Sequence, residues 1–173
     1  MGSDMGRKGW ARYAAWTVPL ILGPGMLSGY LSNSGYGNPW FEALKKPPFM
    51  PPGWVFGLAW TLLYILLGLA LALVLASPRS GERSRGLKLF AGQMVLNFLW
   101  SPIFFAGHDM RLALVVILTM LALAAGAGGQ FWRVRPLAGT LMLPYLAWLC
   151  FAATLNTQML RLNPGANVPL LGF

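Results

Sequence analysis

Long stretches without formal charge restrict the possible folds of this chain more than any other feature. The sequence has 173 residues, of which 13 are Lys or Arg and 4 are Asp or Glu. The charge-free stretches are residues 13–41, 47–78, 89–107, 112–132 and 136–160. The hydrocarbon core of a bilayer is about 30 Å thick, and about 20 helical residues are needed to cross it. Five charge-free stretches therefore predict five membrane-spanning helices.

We predict an all-α membrane protein, a five-transmembrane-helix bundle that forms one domain over residues 1–173. The predicted spans are residues 13–32, 53–76, 87–106, 112–132 and 137–161. Their apolar runs are continuous and lack the alternation of a transmembrane β-barrel. A cleavable signal peptide is the alternative for the first span, because basic residues precede it. Its aromatic content and the lack of a small-residue cleavage pattern favour a permanent span.

The distribution of basic residues predicts the orientation of the bundle. Of the 13 basic residues, nine lie in the N-terminal tail and in residues 77–88 and 133–136, on one side of a five-span bundle. Short loops rich in Lys and Arg stay in the cytoplasm, so we expect a cytoplasmic N-terminus and an external loop at residues 33–52. The net charge of +9 is mostly explained by this topology. The cations do not cluster as nucleic-acid binding requires, so we expect a lipid bilayer and no nucleic acid as partner.

The loop at residues 33–52 is rich in proline and aromatic residues. Pro47, Pro48, Pro51 and Pro52 come just before Gly53, at the start of the second predicted span. Each proline fixes φ, removes an N–H donor and favours an extended predecessor, so we expect no helix in the segment before Gly53. A stiff aromatic loop at the end of a membrane helix is suited to cover a flat, apolar ligand.

One helical stripe of the second span combines glycines with bulky aromatic rings. Gly53, Gly57, Trp60, Tyr64 and Gly68 follow the spacing of a single helix face. Glycines on one face allow another backbone to approach closely, which is the structural interpretation. Large rings would fit poorly in such a contact, so a flat ligand on this face is the alternative.

The third and fifth spans carry polar and aromatic side chains at helical spacing. In the third span Gln93, Asn97 and Trp100 lie on one face. Intramembrane amides usually bond neighbouring helices inside a bundle, although they can also anchor a ligand. The fifth span has a stripe of Pro144, Trp148, Phe151 and Leu155, flanked by Tyr145 and Ala152.

The fourth span and the turn before it show little sign of chemistry. Residues 122–129 are almost all Ala and Gly, so we expect tight packing against a neighbouring helix or another subunit. His108 and Asp109 lie in the preceding turn, where we expect them to be solvated. The spans contain no acid or base other than Tyr and Cys, which argues against general acid–base catalysis and proton pumping.

Together these residues resemble the TspO/MBR family, the tryptophan-rich sensory proteins related to the mitochondrial translocator protein, also called the peripheral benzodiazepine receptor. The resemblance extends over nearly the whole chain. Its motifs are Trp40-Phe41-x-x-Leu44-x-Lys46-Pro47, Pro51-Pro52-x-Trp54, Trp60-x-x-x-Tyr64, Gln93-x-x-x-Asn97-x-x-Trp100-x-Pro102, Pro144-Tyr145-Leu146-x-Trp148 and Leu155-Asn156.

The resemblance implies a bundle in a bacterial membrane, commonly a homodimer, that binds tetrapyrroles such as protoporphyrin IX or haem beneath the first loop. It implies no obligatory cofactor, metal site or catalytic residue. Family members also bind benzodiazepine and isoquinoline ligands. The candidate ligand-binding residues carried over from the family are Trp40, Pro47, Phe49, Trp54, Trp60, Asn97, Trp100, Tyr145, Trp148 and Ala152.

Three functions are compatible with this resemblance. The first is a tetrapyrrole-binding sensory or translocator protein that regulates or aids porphyrin handling. The second is a light- or oxygen-dependent enzyme that degrades porphyrins, and the third is a small-solute transporter. Phe49 replaces a tryptophan that is usual in the family, which weighs against tryptophan photochemistry at that position. The lysines Lys45 and Lys46 could meet porphyrin propionates.

The predicted orientation can be tested with reporters fused after Phe173. With five spans and a cytoplasmic N-terminus, the C-terminus lies outside the cytoplasm. Alkaline phosphatase fused there is expected to be active, and green fluorescent protein is expected to be dark. A fluorescent fusion with an inactive phosphatase fusion would contradict the predicted topology.

Overall fold

The computed structural model describes residues 3–171, with side chains described from residue 9 onward. This part of the chain is helical and contains no strand. The helices are α1 (Ser3–Leu31), α2 (Pro39–Ala43), α3 (Gly53–Leu75), α4 (Gly81–Ser101), α5 (Met110–Val134) and α6 (Pro136–Leu162), and a π-helical turn at Pro102–Ala106 continues α4. Phe173, the site of the reporter fusion, lies outside the described residues, as do the side chains of Arg7 and Lys8.

Four of the described helices are long and apolar enough to cross a membrane. They are α3, α4 with its π-helical end, α5 and α6, and they confirm the predicted multi-pass membrane protein. α3, α5 and α6 match their predicted spans closely, whereas α4 begins six residues early, at Gly81. α1 has 29 residues, but it contains Pro19 and Pro24 and is not among the four. Its role as a fifth span stays a prediction.

The five long helices form a closed ring in the order α1, α3, α6, α5, α4. Hydrophobic residues of α3 to α6 fill the centre of this ring, and Ile21 of α1 joins them. Large apolar side chains such as Leu62, Val95 and Val115 face outward and are about half exposed. In water such a surface would be unfavourable, whereas in a bilayer it contacts lipid.

Glycine allows the closest approach between α1 and α3. A Cβ atom added at Gly68 would lie 2.7 Å from Cα of Val18, a distance that side chains do not tolerate. The hydroxyl of Thr17 donates to the carbonyl of Gly68 at 2.8 Å. At Gly68, therefore, the α3 glycine stripe serves a close contact between two helix backbones, which was the first of its two interpretations.

The small residues of α5 pack against helices of the same chain. A Cβ atom added at Gly126 would lie 3.2 Å from Leu89 of α4, and one added at Gly128 would lie 3.8 Å from Met142 of α6. α5 thus lies between α4 and α6. The prediction of tight packing is confirmed, and these two glycines use it within the chain.

The loop before α3 contains a short helix at Pro39–Ala43, where the prediction of no helix before Gly53 is wrong, although it holds for the proline segment itself. Asn38 caps α2 by accepting a hydrogen bond from the N–H of Phe41 at 3.1 Å, and Pro39 occupies the first turn, where its missing N–H costs nothing. The amide of Asn38 also donates to the carbonyl of Phe105 at 3.1 Å. Residues 44–52, which contain the four prolines, are not helical.

Polar contacts hold this loop together and fix it on the bundle. The ammonium of Lys46 donates to the carbonyls of Phe41 and Glu42 at 2.9 and 3.0 Å, at the end of α2. Asn163, after α6, bonds both the N–H and the carbonyl of Lys45 at 2.8 and 2.9 Å. The loop is therefore a fixed cover, as the proline content suggested.

The turn before α5 is more buried than we expected. Asp109 is only 2% exposed because its carboxylate caps α5 and also accepts the N–H of Leu170 at 2.9 Å. His108 stacks on Trp40 with ring centroids 4.3 Å apart. The expectation of a solvated turn is wrong, because the C-terminal segment and α2 cover it.

The contact at Gly68 predicts the effect of a single methyl group. Gly68→Ala is expected to destabilise the protein by about 1–3 kcal/mol, because the methyl group overpacks against Val18. Gly129→Ala is the control, since its Cβ would meet nothing within 4 Å and alanine is the better helix former. Thermal unfolding in detergent should show a lower melting temperature for Gly68→Ala only, and equal shifts would contradict the packing described here.

Candidate ligand-binding cavity

A cavity of about 600 Å³ lies under the loop, in the part of the bundle where α1, α3, α4 and α6 face one another. Residues of all four helices line it, together with Ile117 and Met120 of α5 and residues of the loop and of the π-helical turn. Such a volume lies in the range of pockets that hold small organic ligands. We call it the central cavity.

Aromatic rings form much of the wall of the central cavity. Trp60 lies 5.2 Å from Tyr64 and 6.3 Å from Trp148, measured between ring centroids. Trp100 stacks on Phe104 at 5.0 Å with nearly parallel planes. The wall therefore offers broad apolar faces formed by rings that contact one another.

A chain of hydrogen bonds crosses the bundle beside the central cavity. The hydroxyl of Tyr64 donates to Oδ1 of Asn97 at 2.8 Å, and Nδ2 of Asn97 donates to the hydroxyl of Tyr145 at 2.9 Å. That hydroxyl donates to Oε1 of Gln93 at 2.7 Å. All four side chains are buried, and Tyr64 and Asn97 also line the cavity. The amides thus bond neighbouring helices, while Asn97 retains a place on the cavity wall.

The glycine-aromatic stripe of α3 combines both of its interpretations. Gly53, Gly57, Trp60 and Tyr64 line the central cavity, whereas Gly68 meets the backbone of α1. A Cβ atom added at Gly57 would meet nothing within 4 Å. The part of the stripe from Gly53 to Tyr64 therefore faces the cavity, and its last member, Gly68, packs against α1.

The mouth of the central cavity lies at its polar end. Tyr30, which lines the cavity, is 82% exposed, and Asn33 and Ser34 of the loop, which line it as well, are also exposed. No Asp, Glu, Lys, Arg or His is among the described residues that line the cavity. The sequence analysis assigned Lys46 to ligand carboxylates, but its ammonium donates to the carbonyls at the end of α2 instead.

Five of the predicted site residues lie together on the wall of the central cavity. They are Trp60, Asn97, Trp100, Trp148 and Ala152.

The other five predicted residues surround the central cavity without lining it. Tyr145 is fully buried behind Asn97, and Trp40 packs edge-on against Phe104. Pro47 is buried in the loop. Phe49 and Trp54 point outward, at 46% and 70% exposure. Trp54 is therefore the most solvent- or lipid-facing of the candidates.

The sequence analysis missed the contribution of α1 to the cavity. Gly25, Met26, Gly29 and Tyr30 all line it, and the ring of Tyr64 packs directly over Gly25. The spacing of Gly25, Gly29 and Asn33 repeats the small-residue pattern of α3. That repetition was the available signal, since small residues on two facing helices leave room between them.

Comparison with known proteins agrees with this architecture. The family model for the TspO/MBR family matches residues 15–162. The chain belongs to the TspO/MBR family. It is 40% identical over 124 residues to the tryptophan-rich sensory protein of Cereibacter sphaeroides, covering 72% of this chain and 77% of the relative. It is 40% identical over 134 residues to the human translocator protein, covering 76% and 79%. The tryptophan-rich protein TspO of Chlorobaculum tepidum is 36% identical over 160 residues, covering 86% and 96%.

The hydrogen-bond chain predicts that the Tyr145 hydroxyl stabilises this TspO/MBR protein. Tyr145→Phe leaves Oε1 of Gln93 and Nδ2 of Asn97 without their shared partner, at an expected cost of about 1–2 kcal/mol. Tyr30→Phe is the matched control, because Tyr30 is largely exposed. Thermal unfolding in detergent should give a lower melting temperature for Tyr145→Phe alone. A melting temperature equal to that of the control would mean that the chain contributes nothing to stability.

Proposed function

We propose that this TspO/MBR protein binds a flat, apolar tetrapyrrole such as protoporphyrin IX or haem in the central cavity, and that it senses or translocates this ligand. The observation that carries the proposal is the aromatic wall formed by Trp60, Trp100 and Trp148 around about 600 Å³ of space. Aromatic rings stack on a planar macrocycle with about 0.5–1.5 kcal/mol per pair beyond the burial of apolar area. Membership of a family that includes tryptophan-rich sensory proteins and translocator proteins supports the same function.

The polarity of the cavity favours one orientation of such a ligand. The macrocycle would lie between α3 and α6, against Trp60 and Trp148. Its propionates would lie at the mouth, close to Asn33 and Ser34, where hydroxyl and amide groups can donate to them. The opposite orientation would bury two carboxylates among Leu149, Leu155 and other apolar side chains, which is unfavourable.

Binding is better supported than catalysis by the groups that line the cavity. Among the described residues that line the cavity, the side chains with a titratable proton are three tyrosines, Tyr30, Tyr36 and Tyr64. The hydroxyl of Tyr64 already donates to Asn97. General acid–base chemistry needs a positioned group that exchanges protons near neutral pH. We therefore do not favour porphyrin degradation or proton-coupled transport.

We further propose five spans with a cytoplasmic N-terminus, and a homodimer. α1 would be the fifth span, packed along α3 as the glycine contacts require. For the dimer we favour α4, because Ala91, Val95 and Leu99 form an exposed stripe of small and medium side chains, while Gly126 and Gly128 of α5 are used within the chain.

Tryptophan substitutions test the proposed ligand position. Trp148→Ala and Trp60→Ala are each expected to weaken protoporphyrin IX binding by about 1–3 kcal/mol, by analogy with bases stacked on aromatic side chains. Trp132→Ala should change the affinity little, because Trp132 packs on Gly139 at the inner end of α5. Titrations that follow the quenching of tryptophan fluorescence give the three dissociation constants. Equal constants would remove the central cavity as the binding site.

A substitution that fills the cavity provides a second test. Gly57→Leu is expected to reduce affinity for protoporphyrin IX at least about tenfold, because its side chain enters space that the ligand would need. Gly129→Leu is the matched control, since it is also a helical glycine with nothing within 4 Å and it does not line the cavity. Isothermal titration in detergent measures both affinities. Unchanged binding by Gly57→Leu together with a normal melting temperature would contradict the proposed site.

A further inference from the structure

A second hollow lies on the outer surface of the bundle, between α3 and α6. Its volume is about 500 Å³, and every described residue that lines it is apolar. We call it the lateral groove. One stripe of each helix lines it: Ala59, Leu62, Leu63 and Leu66 of α3, and Pro144, Ala147, Trp148 and Phe151 of α6. Because Leu62, Pro144 and Ala147 are exposed, the groove opens toward the hydrocarbon of the membrane.

Trp148 separates the lateral groove from the central cavity. It is the one described residue that lines both spaces. Its neighbours on α6 divide cleanly, since Ala152 faces the cavity whereas Ala147 and Phe151 face the groove. The two hollows are therefore adjacent, and the indole of Trp148 belongs to the wall between them.

The Trp148 ring is held by edge-on and tilted contacts with other aromatic rings and by no polar bond within the described residues. Phe56, Trp60 and Phe151 touch it at centroid distances of 5.9, 6.3 and 5.5 Å, and no hydrogen bond to its indole is found in residues 9–171. Pro144 lies one turn before it and lacks the N–H that would bond the preceding turn of α6. A proline inside a helix allows local bending. A rotamer change of Trp148 needs no polar bond to be broken.

We propose that the space between α3 and α6 is a lateral portal through which the apolar ligand of the central cavity enters and leaves from the bilayer, with Trp148 as its gate. The inference rests on the proposed function, because it concerns the route to the same cavity. A flat apolar molecule partitions into hydrocarbon, so the membrane presents it directly to the groove. When the Trp148 ring turns, the groove and the cavity become continuous.

The chemistry of the groove restricts what can pass. Among its described lining side chains the only hydrogen-bonding group is the indole N–H of Trp148, so a charged solute entering the groove would lose its hydration with little compensation. Its outer end is Phe151, which lies 6.5 Å from Phe49 of the external loop. An amphiphile can therefore enter with its apolar edge first while its charged groups remain in the membrane interface.

Association kinetics test the portal separately from binding. The protein in lipid nanodiscs is mixed with protoporphyrin IX dimethyl ester, which carries no carboxylate, and tryptophan quenching is followed by stopped flow. Dissociation is measured by transfer to excess empty vesicles. Ala147→Leu narrows the groove without touching the cavity and is expected to slow association and dissociation by the same factor, about tenfold, so that the affinity is unchanged. Ala59→Leu should act in the same way, and Ala15→Leu, at an exposed position of α1, should change neither rate.

The gate itself is tested with Trp148→Phe. A smaller ring is expected to raise the association rate as well as the dissociation rate, whereas the loss of a binding contact changes mainly dissociation. An increase in dissociation alone would overturn the gate.

The remaining outcomes separate the two proposals. Unchanged rates in both Ala147→Leu and Ala59→Leu, with binding intact, would overturn the portal and indicate entry through the mouth near Tyr30. Absence of binding by the unmodified protein would overturn the proposed function and the portal together.

Discussion

The hydrogen-bond chain from Tyr64 through Asn97 and Tyr145 to Gln93 is the interaction on which the site depends. Hydrocarbon cannot satisfy amides and hydroxyls, so a bundle that buries them must pair them internally. The chain joins α3, α4 and α6 and thereby fixes the faces that these helices turn toward one another. Because Asn97 and Tyr64 are held in this way, Trp60, one turn before Tyr64 in α3, and Trp100 of α4 are oriented as a wall. The cavity is the space that remains above this polar layer.

The loop and the groove have complementary roles in this arrangement. The hydrogen bonds of Asn38 with Phe105 and of Asn163 with Lys45 fix the loop on the bundle, so opening the cavity from above would break three hydrogen bonds at once. Trp148, by contrast, makes no hydrogen bond among the described residues and is held by apolar packing alone. In the proposed exchange with the bilayer the loop stays in place and only the Trp148 ring moves. The polar end of the cavity near Tyr30 would then hold the charged end of the proposed ligand.

The sequence predicts the features that depend on one helix at a time. Charge-free stretches locate the spans because charge in hydrocarbon is costly, and the α3 stripe is visible because its members lie on one face. Features that depend on two elements escape this reasoning. The outward direction of Trp54 depends on how α3 is rotated in the ring, and the capping role of Lys46 requires α2, which Asn38 and Pro39 start within a proline-rich loop. The contribution of α1 to the cavity includes Gly25 and Gly29, whose spacing signals a cavity only when α1 is known to face α3.

Direct contacts between ligand and protein are the most decisive observation for a tetrapyrrole in the central cavity. Nuclear Overhauser effects between the meso protons of protoporphyrin IX and selectively labelled side chains can be recorded with the protein in lipid nanodiscs. The aromatic wall predicts strong effects to the indole protons of Trp60 and Trp148 and to the methyl group of Ala152, with none to Trp132. Effects confined to outward-facing residues such as Trp54 and Trp132, with none to Ala152, would show that the macrocycle binds on the surface of the bundle and would contradict this site.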